Sequence, residues 1–346
     1  TTHVPQISMF TVPGSRAESA QEDCRGTWVV CSPEMVGRFS AAAYFFGREI
    51  HRVQGGAVGL ITSAVGGTLI ESWISPEAQR ATPALKDFFA QHGKLVAAFD
   101  RTNATAKEIS THENITSVGG LFNGKIAPLI PYALRGVAWY QGESNASPER
   151  APFYETQLRL LVRDWRAKWG GELPFAWVQL PNVKRTESWA HIREAQLKAL
   201  DLPRTGMAIT IDIGESRNLH PPNKQEVGRR LAQWALGDVY GRKVATSGPL
   251  IARHETRGSE IVLRFRHTDG GLVAKDGPLT GFIVAGENRA WTPASARIEG
   301  DTVIVSAPNV PRPIAVRYAW EADPICNLTN GAGLPASPFR TDDWKP

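Results

Sequence analysis

Two periodicities divide the chain. From about residue 27 to 240, short apolar runs alternate with amphipathic segments, the pattern of a parallel sheet with helices on both faces. Ala57-Val58-Gly59-Leu60-Ile61, Gly136-Val137-Ala138-Trp139-Tyr140, Phe175-Ala176-Trp177-Val178 and Met207-Ala208-Ile209-Thr210-Ile211 read as buried strands, because nearly continuous apolar runs of that length suit strands covered on both sides. Ser32-Pro33-Glu34 predicts a helix start, with a hydroxyl cap and a proline in the first turn. Val36, Phe39, Ala43, Phe46 and Ile50 then follow at spacings of 3, 4, 3 and 4. A second helix is predicted from about Pro148 to Trp169, with Tyr154, Leu158, Leu161 and Trp165 on one face and Gly170-Gly171 as the stop. A third begins near Asn223 and turns Val227, Leu231 and Trp234 inward. The stretch from about Asp100 to Gly120, rich in Thr, Asn and Ser, is expected to be an irregular surface excursion.

After about residue 243 the period becomes two, with Ile261, Leu263 and Phe265 set against Val262, Arg264 and Arg266, and with Gly-rich turns such as Asp269-Gly270-Gly271. Further strands are expected at Gly281 to Val284, Thr302 to Val305 and Ile314 to Tyr318. The expected organisation is an α/β domain over 1–242, an antiparallel β module over 243–326 and a tail over 327–346 that packs back on the first domain.

Composition narrows the function classes. With 42% hydrophobic and 21% charged residues in 346, the chain reads as an ordinary soluble globular protein. No run of eighteen apolar residues is present, so no membrane span is expected, and the chain opens in mature sequence without a signal-peptide pattern. The net charge of +5 is scattered rather than gathered in blocks, which argues against a nucleic-acid partner. Cys24, Cys31 and Cys326 lack zinc-site spacing, although Cys24 and Cys31 stand close enough to bridge locally. Eleven tryptophans suit either a core or indole platforms for sugar rings.

Open α/β sheets bind ligands beyond the carboxyl ends of their strands, so the residues following each predicted strand carry the candidate chemistry. After Ile61 comes Thr62 to Trp73, in which Gly66-Gly67 precede a short helix and could turn backbone N–H groups toward a developing oxyanion, or form a plain tight turn. After Tyr140 comes Gln141-Gly142-Glu143-Ser144-Asn145, a cluster of hydrogen-bonding side chains that could equally cap the next helix. Ser144 is rejected as a nucleophile, since Ala146 stands where a G-x-S-x-G elbow needs its second glycine. After Ile211 comes a polar loop ending in His220, a candidate general base with Asp212 and Glu215 close in sequence to orient it.

Taken together these blocks resemble the sialate O-acetylesterase family and related carbohydrate acetylesterases of the SGNH hydrolase superfamily. The resemblance rests on Trp28-Val29-Val30-Cys31-Ser32-Pro33-Glu34, Phe39-Ser40-Ala41 with Tyr44 to Arg48, Gly66 to Trp73, Leu121-Phe122-Asn123-Gly124-Lys125-Ile126-Ala127-Pro128-Leu129, Trp139 to Ala146, His220-Pro221 and Gly333 to Thr341. It implies a three-layer α/β/α, flavodoxin-like hydrolase domain over 1–242, followed by the β module. It also implies serine-dependent hydrolysis of acetyl esters on a saccharide, whether sialic acid or a plant polysaccharide such as xylan or xyloglucan.

By position in the family pattern, Gly67 contributes an oxyanion N–H, Gly142 to Asn145 the other donors and His220 the base, while Trp73 borders the sugar. No metal or organic cofactor is implied, and the location is secreted or periplasmic. The family's nucleophile lies in an early Gly-Gln-Ser-Asn block. That block is absent here, and Ser8, Ser15 and Ser19 lie in no matching context, so the serine is expected on a preceding segment or a separate chain. The third triad member stays open. Arg217 and Asn218 occupy the positions where relatives carry aspartate before the histidine, which leaves Asp212, Glu215, Glu143 or a Ser–His dyad. The competing reading is a non-catalytic carbohydrate-binding protein on a degenerate esterase fold.

Overall fold

The computed structural model describes residues 4–186 and 188–344. The chain forms two compact units, Thr1–Trp177 with Lys198–Thr205, and Val178–Leu197 with Gly206–Pro346.

In the first unit, β1 (Ile7–Thr11) pairs antiparallel with β2 (Trp28–Val30) and parallel with β3 (Val58–Thr62). The helix α1 (Ala41–Gln54) precedes β3 and starts at Ala41, not at Pro33 as the capping signal predicts. The Ser32 carbonyl is taken by the N–H groups of Met35 and Val36 in a tight turn, and Phe39 is extended with ψ at 150°. Ser40 therefore supplies the cap, its Oγ accepting from the Ala43 N–H at 3.4 Å. Tyr44 of α1 packs with Ile7, Met9, Cys31 and Leu60 in a small core. Cys31 is buried there and no disulfide joins it to Cys24, so the local bridge considered from the sequence does not form.

Beyond β3 come α2 (Pro76–Arg80), α3 (Lys86–Ala97) and α4 (Ala106–Thr116). The last stands where an irregular excursion is expected. Its start is a capping box: Thr105 Oγ1 accepts from the Glu108 N–H, while the Glu108 carboxylate accepts from the Thr105 N–H at 2.7 Å. None of its residues is buried, so it has no apolar stripe to announce it.

The strand β4 (Val137–Trp139) leads to α5 (Ala151–Trp169), which buries the predicted face and stops at Gly170 in the left-handed region, φ 70°. β5 (Phe175–Val178) then pairs in parallel with β4. After α6 (Ser188–Lys198) comes β6 (Thr205–Ala208). β6 lies earlier than the predicted run at Met207 to Ile211. The later residues of that run are still buried, but the Ile209 carbonyl is taken by the Arg230 guanidinium at 2.6 Å rather than by a ladder.

The second unit continues with α7 (Lys224–Trp234), which begins beside Asn223 as predicted and is capped by that side chain, and then an antiparallel module. Its larger sheet orders β7 (Leu250–Arg257), β8 (Glu260–Arg266), β12 (Ser295–Glu299) and β13 (Thr302–Ser306) as β12-β13-β8-β7. The other four-stranded sheet is β11-β10-β14-β16, from β10 (Phe282–Ala285), β11 (Thr292–Pro293), β14 (Ala315–Tyr318) and β16 (Phe339–Arg340). β9 (Leu272–Ala274) pairs with β15 (Leu328–Asn330). Ile261, Leu263, Val284, Val303, Val305 and Val316 form the core that their alternation predicts. The tail supplies β15 and β16 to these sheets. Arg340 also pairs with Glu194 of α6, at 2.9 and 3.0 Å.

Candidate active site

In the first unit the turns after β3 and β4 are bonded to each other. Gly67 sits at φ +71° with open space where a side chain would go, so glycine is required there by the backbone and not by crowding. Gly67→Ala is accordingly expected to cost about 1 kcal/mol of stability through φ alone, as measured by urea unfolding. Thr68 closes the turn, its Oγ1 donating to the Val65 carbonyl at 2.8 Å and accepting from Trp73 Nε1 at 3.0 Å. Neither the Gly66 nor the Gly67 N–H bonds to a backbone carbonyl among the described residues.

Across from this turn, Gly142 adopts φ 155° and ψ −27°, a combination closed to L side chains, and so redirects the chain from Gln141 into the Glu143–Asn145 turn. Gln141 Nε2 donates to the Thr68 carbonyl at 3.1 Å and to Asn145 Oδ1 at 2.7 Å. The same Oδ1 accepts from the Ile70 N–H at 3.0 Å, and Asn145 Nδ2 donates to the Glu71 carboxylate at 3.0 Å. Arg150 pairs with the other Glu71 oxygen, and Tyr154 Oη reaches the Gln141 carbonyl at 3.0 Å. This network is buried, so each of its bonds replaces one that water would otherwise make.

The network settles several side chains. The Asn145 and Gln141 amides face their own scaffold, while Glu143 and Ser144 are half-buried. Trp73, expected to border a sugar, is only 3% exposed. Its ring meets Trp139 edge-on at 6.0 Å, and its carbonyl accepts from Trp165 Nε1 at 2.9 Å, so it supports the turn from behind. Burial, reinforced by the nearby Glu143 carboxylate, pushes the Tyr140 phenol upward and keeps it neutral. The Glu71–Arg150 pair escaped sequence reasoning. Its members lie far apart in the chain, and neither position carries a local signature.

In the second unit, the loop after Ile211 carries His220, whose side chain is exposed and whose ring makes no hydrogen bond among the described residues. Its backbone is fixed: the His220 N–H donates to Asn218 Oδ1 at 2.9 Å, and Asn218 Nδ2 donates to the Glu215 carboxylate at 3.0 Å. Asp212 faces elsewhere, gripped in two-pronged fashion by Arg230 at 2.6 and 2.8 Å. Neither Asp212 nor Glu215 bonds to the imidazole among the described residues. Among the described residues no cluster of three His, Cys, Asp or Glu side chains is placed to hold a metal, and no helix is long and apolar enough to cross a membrane.

Residues 3–237 match the family described as carbohydrate esterase, sialic acid-specific acetylesterase. The chain is 28% identical to mouse (Mus musculus) sialate O-acetylesterase over 346 residues, which is 87% of this chain and 63% of that protein. It is also 28% identical to the human (Homo sapiens) sialate O-acetylesterase over 373 residues, 96% of this chain and 68% of that one. It thus spans less than two thirds of the length of the mouse relative. The crystal structure of a carbohydrate acetylesterase from Xanthomonas citri matches 99% of this chain and 74% of its own, with a TM-score of 0.87 and 36% identity.

Proposed function

Because the chain belongs to the sialic acid-specific acetylesterase family of carbohydrate esterases, we propose that it carries the base and oxyanion side of a serine-dependent esterase acting on acetylated saccharides. His220 takes the proton from a seryl Oγ as that oxygen attacks the acetyl carbonyl. The tetrahedral oxyanion is met by the Gly67 N–H and by donors of the Gly142 to Asn145 turn. Collapse expels the sugar oxygen, which leaves as an alcohol with the proton from His220. Water activated by the same imidazole then releases acetate. The proposed setting is secreted or periplasmic, where acetylated glycans are presented.

The observation that carries this reading is the bonded pair of turns after β3 and β4. It also supports a place for the serine. β3 and β4 run toward the same hydrogen-bonded turn cluster, yet neither pairs with the other. Each is an edge of its own sheet among the described residues. Parallel strands are ordinarily covered, whereas Gly59 and Ala138 are exposed, and Thr62 Oγ1 and Trp139 Nε1, at the two strand ends, are buried without a hydrogen-bond partner among the described residues. A strand from polypeptide outside these 346 residues, laid along those edges, would pair both and end beside Gly67. The relatives extend beyond the matched part, which leaves length for such a strand.

The loop geometry favours a Ser–His pair without a carboxylate, since Glu215 is engaged by Asn218 and Asp212 by Arg230. Glu215→Gln is therefore expected to change turnover by less than about tenfold, against the roughly 10⁴-fold loss that follows when a true triad carboxylate is neutralised. The decisive assay is release of acetate by the complete protein from acetylated saccharides, followed with a coupled acetate determination. Turnover supports the esterase, and saccharide binding without any acetate release defeats it.

A further inference from the structure

Building on that esterase reading, we propose that the sugar of the substrate is an uncharged pyranoside ring, held in a cavity of about 510 Å³ within the second unit. The volume lies in the range of small-molecule sites, about 300–1,000 Å³. The walls come from three places: the strand end that opens the His220 loop, with Asp212 and Asn182; the Lys275 to Thr280 loop; and the segment holding Ile325 and Asn327.

These walls are fixed in advance. Asn327 pins the Lys275 to Thr280 loop, with Nδ2 donating to the carbonyls of Lys275 at 2.8 Å and Pro278 at 2.9 Å and Oδ1 accepting from the Thr280 N–H at 3.0 Å. Asn182 Oδ1 accepts from the Gly214 N–H at 2.9 Å, and its Nδ2 donates to Asp323 at 2.9 Å. The cavity wall and the loop that ends in His220 thus share one hydrogen-bonded frame, so a ligand in the cavity is held in register with the proposed base. Preformed walls of this kind spare a ligand the ordering cost of a mobile loop.

The lining also has the mixed character of a sugar ring. Ile325 is 84% exposed and offers an apolar face to ring C–H groups, while Asn182 and Thr280 provide polar edges. Charge decides between sugar classes. The charged lining residues are Asp212, Lys275 and Asp276; Arg230 neutralises Asp212, and Asp276 adjoins Lys275. No net positive charge is left over for the carboxylate of an acidic sugar. Cys326, also in the wall, has its thiol pushed up to about 11 by burial, so the cavity offers no thiolate nucleophile and reads as a binding surface.

The test compares the complete protein with its Ile325→Ala and Thr280→Trp variants. The substrates are 4-nitrophenyl acetate, which has no sugar, acetylated xylo-, gluco- and manno-oligosaccharides, and 9-O-acetylated sialic acid. The expected result is a roughly tenfold or larger fall in kcat/KM for the preferred neutral sugar ester, expressed mainly in KM, with 4-nitrophenyl acetate hydrolysis unchanged. The inference is overturned if both ester classes fall together, if neither changes, if no neutral sugar ester is turned over, or if the sialate ester is preferred. Failure to hydrolyse any ester, including 4-nitrophenyl acetate, instead overturns the esterase reading on which the inference rests.

Discussion

Replacing His220 by alanine is expected to lower kcat for acetate release by about 10⁴-fold or more, with thermal stability unchanged. The imidazole is exposed and makes no hydrogen bond among the described residues, so its removal leaves no orphaned partner, and surface changes of that kind stay within about 0.5 kcal/mol. The loop keeps its shape because the bond to Asn218 comes from the His220 backbone N–H. Steady-state kinetics with parallel thermal melts separate the two effects. A kcat loss below about a hundredfold would remove His220 from the base role, and a large fall in melting temperature would mean that the ring serves the fold.

The second large effect is expected at Glu71, and it falls on stability. Its carboxylate is 1% exposed and pairs with Arg150, itself only 18% exposed, while also accepting from Asn145. Glu71→Ala strands a mostly buried guanidinium and an amide, and breaking one partner of such a pair typically costs about 3–5 kcal/mol. Since Asn145 also binds the Ile70 N–H, the two turns should loosen together and kcat should fall as well. Glu71→Gln, which keeps the acceptor for Asn145, should recover part of both losses. Urea unfolding of the two variants checks this. Equal stability of Glu71→Ala and the parent chain would show that the pair contributes nothing net.

Much of the fold was readable where one rule acted alone. α5 follows its apolar face and ends at Gly170, and β5 and β8 match their runs. The structure departs from the sequence pattern where two local signals compete. Ser32 and Ser40 both offer caps, and the choice depends on Phe39 turning extended, which no spacing encodes. α4 shows no apolar stripe in the sequence because none of its residues is buried, and its one local signal is the capping box of Thr105 and Glu108.

The candidate site divides in the same way. Gly67, Gly142 and His220 could be named because strand ends concentrate such residues, and the bond between the turns follows from that placement. The fate of Asp212 could not be read, since it depends on Arg230 reaching back from α7. Likewise, Trp73 was a fair candidate for a sugar platform by type alone. Only its packing on Trp139 places it behind the turn.

We propose that His220 and the turns after β3 and β4 serve an attacking serine that lies in polypeptide outside these 346 residues. The most direct measurement is to treat the complete protein and its His220→Ala variant with a fluorophosphonate and to locate the modified residue by peptide mass spectrometry. One modified serine is expected, in polypeptide outside these 346 residues, with labelling strongly reduced in the variant. A modified serine within them, Ser144 for instance, or labelling that is indifferent to His220, would contradict it.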